Sequence, residues 1–153
     1  MGRTNFAAMN CSIARTLEVI GERWSLLIVR DAFYGVRRFD DFQRDLGIAR
    51  NVLTDRLATL VEWGVFDRRQ YEDRPPRFEY VLTEKGRELL PVILTMMRWG
   101  DRWESGGDRP VTLTHRACGH VAEPVVACSH CRGDLLWKEL RTDPIPVTLP
   151  ARG

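Results

Sequence analysis

The sequence of 153 residues predicts a mainly α-helical domain with a small β-hairpin, followed by a short cysteine-bearing module. Three observations favour this fold class. Apolar residues recur at helical spacing in four segments before residue 64. Two β-like runs then flank a pair of prolines, and three of the four cysteines lie beyond residue 110. The length fits one domain with a small appendage, and 44% hydrophobic with 29% charged residues is typical of a globular chain.

The first two predicted helices are short and close together in sequence. Residues 11–20 carry apolar side chains at positions 13, 17 and 20, and Gly21 is a plausible end of this helix. Residues 24–33 are apolar enough to lie at the centre of a core, and Tyr34-Gly35 ends the segment.

The third and fourth predicted helices differ in their faces. Residues 39–46 form a short amphipathic helix, which Gly47 separates from the helix at residues 50–63. In that fourth helix the apolar positions 53, 57, 60 and 61 fall on one stripe. The opposite face begins with polar residues, namely Arg50, Asn51, Thr54 and Asp55. Gly64 follows as a candidate C-cap.

A β-hairpin is predicted from residues 65–71 and 78–82. Paired prolines cannot lie within a central strand, so Pro75 and Pro76 predict an extended tip between the two strands. The hairpin is rich in arginine at Arg68, Arg69, Arg74 and Arg77. Neighbouring carboxylates offset much of this charge: Asp67, Glu72, Asp73 and Glu79.

This order of elements is that of a winged helix-turn-helix. The third helix braces the fourth, whose polar N-terminal half can then enter a major groove roughly 12 Å wide. Arg50 suits guanine, Asn51 suits adenine, and Thr54 can contact a base or a phosphate, with Asp55 beside them. The hairpin arginines, together with Arg37 and Arg38, would contact phosphates or the minor groove. Each element alone could simply pack or face solvent; their order favours DNA.

A long final helix is predicted from the cap at Thr83 to Trp103, with Pro91 kinking or dividing it. Its apolar residues recur over about four turns: Leu89, Ile93, Met96, Met97, Gly100 and Trp103, widened by Trp99. So wide a stripe favours a two-fold interface between two copies of the chain. Burial of these residues against the first helix is the alternative. A further one is an effector pocket lined by Trp24, Trp99, Trp103 and the two methionines.

Several motifs occur in order along the body of the chain. They are Gly21-Glu22-Arg23-Trp24-Ser25-Leu26-Leu27-Ile28, Arg38-Phe39-Asp40-Asp41-Phe42, Leu53-Thr54-Asp55-Arg56-Leu57, Gly64-Val65-Phe66-Asp67-Arg68-Arg69, Pro75-Pro76-Arg77-Phe78-Glu79-Tyr80 and Leu82-Thr83-Glu84-Lys85-Gly86. With them, residues 11–103 resemble the HxlR-type transcriptional regulators, relatives of the MarR group. The resemblance implies a homodimeric regulator that binds double-stranded DNA, with residues 49–61 as recognition helix and residues 65–82 as wing.

The sequence departs from this family directly after Cys11, because Ser12 stands where the family usually has Pro. Some members of the family are described as thiol switches that use this cysteine. A cysteine near a helix N-terminus can be reactive, whereas free cysteines more often serve as small buried side chains. A redox role for Cys11 is therefore one of two readings.

The remaining chain predicts a linker at residues 104–110, a small module at 111–141 and a proline-bearing tail at 142–153, after the domain at 11–103. No internal repeat is evident. Two ligand pairs with a following glycine suggest a structural zinc site of the ribbon type: His115, Cys118, Cys128 and Cys131. His120 and His130 compete for the position of His115. Alternatively, Cys128 and Cys131 form a redox pair, or the module has no metal and packs on Leu135, Leu136 and Trp137.

Other function classes receive little support. No phosphate loop, nucleophile elbow or His-Glu-x-x-His motif occurs, and within the tail module Glu123 is the candidate base for a hydrolytic zinc centre. We expect a regulator and not an enzyme, in the cytoplasm, without signal peptide or membrane span. A winged-helix adaptor that binds proteins is the alternative function. The net charge of +2 is weak evidence for DNA, so the placement of the arginines carries the prediction.

Overall fold

A computed structural model describes Phe6 and residues 9–141, so the predicted tail at 142–153 lies outside the described residues. The described chain forms two compact units, the first ending at Leu89 and the second beginning at Leu90. None of its helices is both long and apolar enough to cross a membrane.

Four helices open the first unit, at the positions that the periodicity predicts to within one residue. They are α1 (Ser12–Ile20), α2 (Ser25–Phe33), α3 (Phe39–Leu46) and α4 (Arg50–Glu62). Between α3 and α4, Gly47 adopts a left-handed backbone with φ +61°, which glycine tolerates without a steric cost. Its N–H donates to the carbonyl oxygen of Gln43, and this tight turn completes the helix-turn-helix.

The core of this unit fixes the orientation of α4. Leu53, Leu57 and Leu60 are fully buried, as the apolar stripe predicts. Phe42 from α3 packs edge-to-face against Phe66 with ring centroids 6.3 Å apart. Because one face of α4 is buried in this way, its polar face is directed to solvent.

The hairpin consists of β1 (Phe66–Asp73) and β2 (Pro76–Leu82), which pair antiparallel. The prediction of an extended tip is wrong, since the strands continue to Asp73 and Pro76 and leave two residues between them. Both strands of a two-stranded sheet are edge strands, so a proline can open one of them without removing a needed donor. A register shift lies between Gln70 and Glu72.

The predicted long helix is divided into two helices near Pro91, which is one of the two predicted alternatives. Thr83 caps α5 (Glu84–Arg87), and its hydroxyl oxygen accepts the backbone N–H of Gly86 at 3.1 Å. The chain then starts again with α6 (Leu90–Trp103), whose second residue is Pro91. A proline in the first turn needs no backbone donor, so Pro91 begins the new helix and does not kink an old one.

The second unit contains α6 and the tail module of residues 111–141. By its contacts α6 groups with this module, whereas the sequence places a domain boundary at residue 103. None of residues 104–141 is buried, and the side chain of Trp137 is 82% exposed. The alternative in which the module folds by packing Leu135, Leu136 and Trp137 is therefore wrong, since all three are exposed.

The tail module contains a structural repeat that the sequence does not show. Thr114 bridges Val121, and Ala127 bridges Asp134. Each bridge closes a small hairpin between residues seven apart, and the second hairpin follows the first at an offset of thirteen residues. Only Cys118 and Cys131 are identical between the two hairpins, which explains why the sequence does not reveal the repeat.

Candidate nucleic-acid interface

The ten residues predicted to contact DNA are all exposed. They are Arg37, Arg38, Arg50, Asn51, Thr54, Asp55, Arg68, Arg69, Arg74 and Arg77. On α4, the hydroxyl group of Thr54 donates to the carbonyl oxygen of Arg50 at 2.9 Å, and its oxygen remains free to accept. The first two turns of α4 thus present donors and acceptors on the side opposite the buried leucines.

A groove of about 540 Å³ lies between the starts of α3 and α4 and the wing. Four of the ten predicted residues line it: Arg38, Arg50, Arg68 and Arg77. We call it the arginine groove. The other six predicted residues do not line it. They lie just before α3, on α4 and along the wing.

Three of the groove arginines lie over aromatic rings. The guanidinium carbon of Arg68 is 3.5 Å from the centroid of the Phe78 ring. That of Arg38 is 4.8 Å from the Tyr71 ring, and that of Arg50 is 4.7 Å from the Phe39 ring. Cation–π contacts of this kind restrict a long, flexible side chain to a small set of positions. The groove therefore holds its charges in place before any ligand arrives.

Sequence analysis missed the three aromatic partners as site residues. Phe39 fits the apolar side of a helix, and nothing in its spacing distinguishes it from a core residue. Phe78 pairs with Gln70 across the hairpin, and Tyr71 lies at the register shift. Direct cross-strand pairing would have suggested Tyr80, which is opposite Arg68, whereas Phe78 is only the diagonal neighbour of Arg68. The irregular position of Tyr71 leaves no such signal.

Carboxylates balance several arginines, as the sequence predicts for the hairpin. Arg69 pairs with Asp67 at 3.2 Å, and Arg77 pairs with Glu72 at 3.1 Å. In the same groove, the Nη1 atom of Arg50 lies 3.6 Å from Oδ1 of Asp40. At the wing tip, Arg74 forms no ion pair within the described part of the chain. Exposed pairs are weak, so DNA phosphates can replace the carboxylates at low cost.

The segment before α3 is attached to the wing by backbone contacts. The N–H of Tyr80 donates to the carbonyl oxygen of Arg37 at 2.8 Å, and Arg38 bridges Glu79. These bonds fix where Arg38 enters the groove. The position of the wing relative to α3 is thereby set by the main chain and not by side chains alone.

Helix α6 exposes an apolar stripe of four residues: Val92, Met96, Trp99 and Trp103. Their exposed fractions are 38%, 54%, 60% and 61%, and their spacing places them on one face of the helix. The predicted stripe is wrong in detail, since Leu89, Ile93, Met97 and Gly100 are half-buried within the chain. On α1, Ile13 and Leu17 are also exposed.

The candidate metal ligands form two local pairs. The Nδ1 atom of His115 lies 3.4 Å from Sγ of Cys118. Backbone N–H groups of Cys131 and His130, then the Cys131 side chain, hydrogen-bond to Cys128 and lower the pKa of its thiol. Among the described residues, no three His, Cys, Asp or Glu side chains come together as a metal group. The pairs themselves are formed, but they are separate.

Cys11 occupies the N-cap position of α1 and is half-buried. It is a free thiol, as are the other three cysteines. Its redox role stays a prediction.

Comparison with known proteins gives consistent results. The HxlR-like helix-turn-helix family matches residues 19–108. An uncharacterised HTH-type transcriptional regulator from Mycobacterium tuberculosis strain H37Rv, Rv3095, is 46% identical over 136 residues, which cover 88% of this chain and 86% of the relative. The crystal structure of PA1607, a candidate transcription factor, is similar with a TM-score of 0.82 and 37% identity over 92% of this chain and 99% of that one. PA1374 from Pseudomonas aeruginosa, described in the same terms, has a TM-score of 0.64 and 40% identity over 89% of this chain and 93% of its own.

Proposed function

Because the chain belongs to the HxlR-like helix-turn-helix family and is a DNA-binding transcriptional regulator, we propose how it holds its operator. Helix α4, with residues 49–61 as recognition segment, enters the major groove. The wing contacts the backbone or the minor groove beside it. Arg50, Asn51 and Thr54 would contact base edges, since their chemical types match guanine, adenine and either base or phosphate.

The observation that carries this proposal is the arginine groove. It opens between the start of α4 and the wing, where a backbone strand would pass if α4 lay in the major groove. Its guanidinium groups are already positioned by Phe39, Tyr71 and Phe78. Such pre-organisation lowers the entropy lost when a phosphate is bound.

The DNA-binding form is proposed to be a homodimer. The exposed stripe Val92, Met96, Trp99 and Trp103 supports it, since monomers rarely leave neighbouring large apolar side chains open to water. The exposed residues Ile13 and Leu17 of α1 offer a second apolar contribution. A two-fold dimer would place two recognition helices on half-sites about one DNA turn, roughly 34 Å, apart.

The protein is proposed to act without catalysis and in the cytoplasm. Its family and relatives carry the names of transcriptional regulators, and regulation by operator binding requires no chemical step. A bacterial-type regulator meets its operator where the chromosome lies.

Selection of random DNA duplexes by the full-length protein tests this proposal. We expect enrichment of a sequence with two related half-sites, bound much more tightly than a scrambled duplex of equal length. Replacing both Arg50 and Asn51 by Ala should abolish the enrichment while the circular dichroism spectrum is retained. A folded wild-type protein that enriches no sequence would contradict the proposal and favour the protein-binding adaptor.

A further inference from the structure

We propose that the two hairpins of the tail module close on one structural Zn²⁺ ion, held by His115, Cys118, Cys128 and Cys131. None of these four residues is among the ten residues predicted to contact DNA. Its chemistry is that of a tetrahedral zinc centre with three thiolates and one imidazole.

The first observation is that both hairpins place their donors in the same register. In the first hairpin, the first bridged residue is Thr114. The two donors, His115 and Cys118, follow it by one and four positions. Cys128 and Cys131 follow Ala127 in the same way. Two hairpins with equivalent donor pairs are the arrangement that a four-ligand site of the ribbon type requires.

The second observation is that the backbone of the two hairpins matches as well. His115 donates its N–H to the carbonyl oxygen of His120 at 2.8 Å, as Cys128 does to Gly133 at 2.8 Å. The residue after each second donor adopts a left-handed backbone, with φ +72° at Gly119 and φ +62° at Arg132. A residue other than glycine is uncommon in this conformation, so the turn at Arg132 is held despite its cost.

The third observation is the lack of a hydrophobic core in the module. None of residues 104–141 is buried, and Val125 and Trp137 are among the most exposed apolar side chains. A module of this size without a core needs another source of stability, and a structural metal is one. The two hairpins supply the donors for a metal. Disulfide bonds do not stabilise the module, because all four cysteines are free.

The geometry also distinguishes among the three histidines. His115 directs Nδ1 to within 3.4 Å of the Cys118 sulfur, and it occupies the position that Cys128 has in the second hairpin. The Nδ1 atom of His120 lies 2.8 Å from the carbonyl oxygen of Cys118, so this side chain contacts the backbone of the turn and not the Cys118 sulfur. His130 corresponds to Ala117 of the first hairpin, which carries no donor side chain.

Forming the centre requires the two pairs to approach each other, because no three of these donors lie together in the described residues. The metal would draw the pairs together, and its binding releases the three thiol protons to solvent. The hairpins thus supply two preformed halves, and the ion supplies the link between them.

Metal content of the full-length protein, purified under reducing conditions without chelator and reloaded with Zn²⁺, tests the proposal. We expect about one zinc per chain. Cys118→Ser and Cys131→Ser should each bring the content near zero, whereas Cys11→Ser, which alters the one cysteine outside the module, should retain it. No zinc in the wild-type protein would overturn the proposal, as would equal loss from Cys11→Ser.

The histidine assignment has its own test. His115→Ala should lose the metal, and His120→Ala and His130→Ala should keep it. Substitution by Co²⁺ gives a measurement that does not depend on stability: the wild-type protein should show a thiolate-to-cobalt charge-transfer band with a tetrahedral visible spectrum. An unchanged cobalt spectrum in His115→Ala, or half a zinc per chain in the wild-type protein, would overturn the four-ligand assignment within one chain.

Discussion

The guanidinium carbon of Arg50 lies 4.7 Å from the centroid of the Phe39 ring. The first residue of α4 thereby lies on the first residue of α3, so that the turn between the helices also positions a side chain that is proposed to contact a base. We predict that Arg50→Ala weakens binding to the selected operator by about 1–3 kcal/mol and relaxes base preference at one position. Fluorescence titrations of the operator and of its single-base variants measure both the loss of affinity and the change in base preference.

The matched control is Arg44→Ala, which removes an exposed arginine of α3 that pairs with Asp41 and Asp45 and does not line the arginine groove. Equal losses from both substitutions would mean that only net charge matters, contrary to base recognition by Arg50.

The wing tip should contribute affinity without sequence preference. Arg74 lies between the two strands and is exposed, so it suits a phosphate contact. Arg74→Ala should weaken operator and scrambled duplex by a similar factor and reduce the slope of log K against log salt by about 1. Titrations at several salt concentrations measure both quantities. A loss restricted to the operator would show that Arg74 contacts a base.

Asp40 is predicted to restrain non-specific binding. Its carboxylate lies 3.6 Å from Arg50 and lines the arginine groove, where it repels phosphate and neutralises the neighbouring charge. Asp40→Asn should tighten binding to scrambled DNA by up to about fivefold, because an exposed pair contributes at most about 1 kcal/mol. Asp45→Asn, outside the groove, should have no comparable effect. Weaker binding after Asp40→Asn would indicate that the carboxylate positions Arg50 productively.

The apolar stripe of α6 should determine the oligomeric state. Trp99 is 60% exposed in the chain, and a carboxylate placed there would be desolvated in a two-fold interface. Trp99→Glu should weaken self-association by at least about tenfold, since aromatic residues dominate interface energies. Sedimentation over a range of protein concentrations measures this. Trp99→Phe keeps the apolar surface and should stay dimeric; a dimer undisturbed by Trp99→Glu would place the interface elsewhere.

Gly86 is predicted to be intolerant of any side chain. A Cβ atom there would collide with the carbonyl oxygen of Val65 and approach Cδ2 of Leu82 to 2.9 Å. Gly86→Ala should lower the free energy of unfolding by about 1–3 kcal/mol through overpacking. Urea denaturation measures it, with the exposed Glu88→Ala expected to change stability by less than about 0.5 kcal/mol. A neutral Gly86→Ala would mean that α5 can move away from the wing.

Helix α4 was predictable because one of its faces is buried, and Leu53, Leu57 and Leu60 illustrate how the helical period alone gives that core face. The polar face of α4, with its four candidate residues Arg50, Asn51, Thr54 and Asp55, follows from the same period. The break between α5 and α6 was predictable only as one of two alternatives, because Pro91 fits both a kink within a helix and the first turn of a new one.

The aromatic support of the arginines depends on tertiary structure. Which ring lies under Arg68 is decided by the cross-strand register, and the shift between Gln70 and Glu72 changes that register near the wing tip. The spacing of residues in the sequence reveals neither the cross-strand register nor the position of its shift. The repeat in the tail module was hidden for another reason: hydrogen bonds between main-chain atoms repeat there, whereas only Cys118 and Cys131 repeat as residues.

If the stripe of Val92, Met96, Trp99 and Trp103 forms the proposed dimer interface, it links gene control to the number of protein molecules in the cell. Where a dimer is the binding species and monomers predominate, mass action makes occupancy of the operator grow with the square of the protein concentration. A modest change in synthesis or degradation of this chain then produces a steeper change in the output of its target genes.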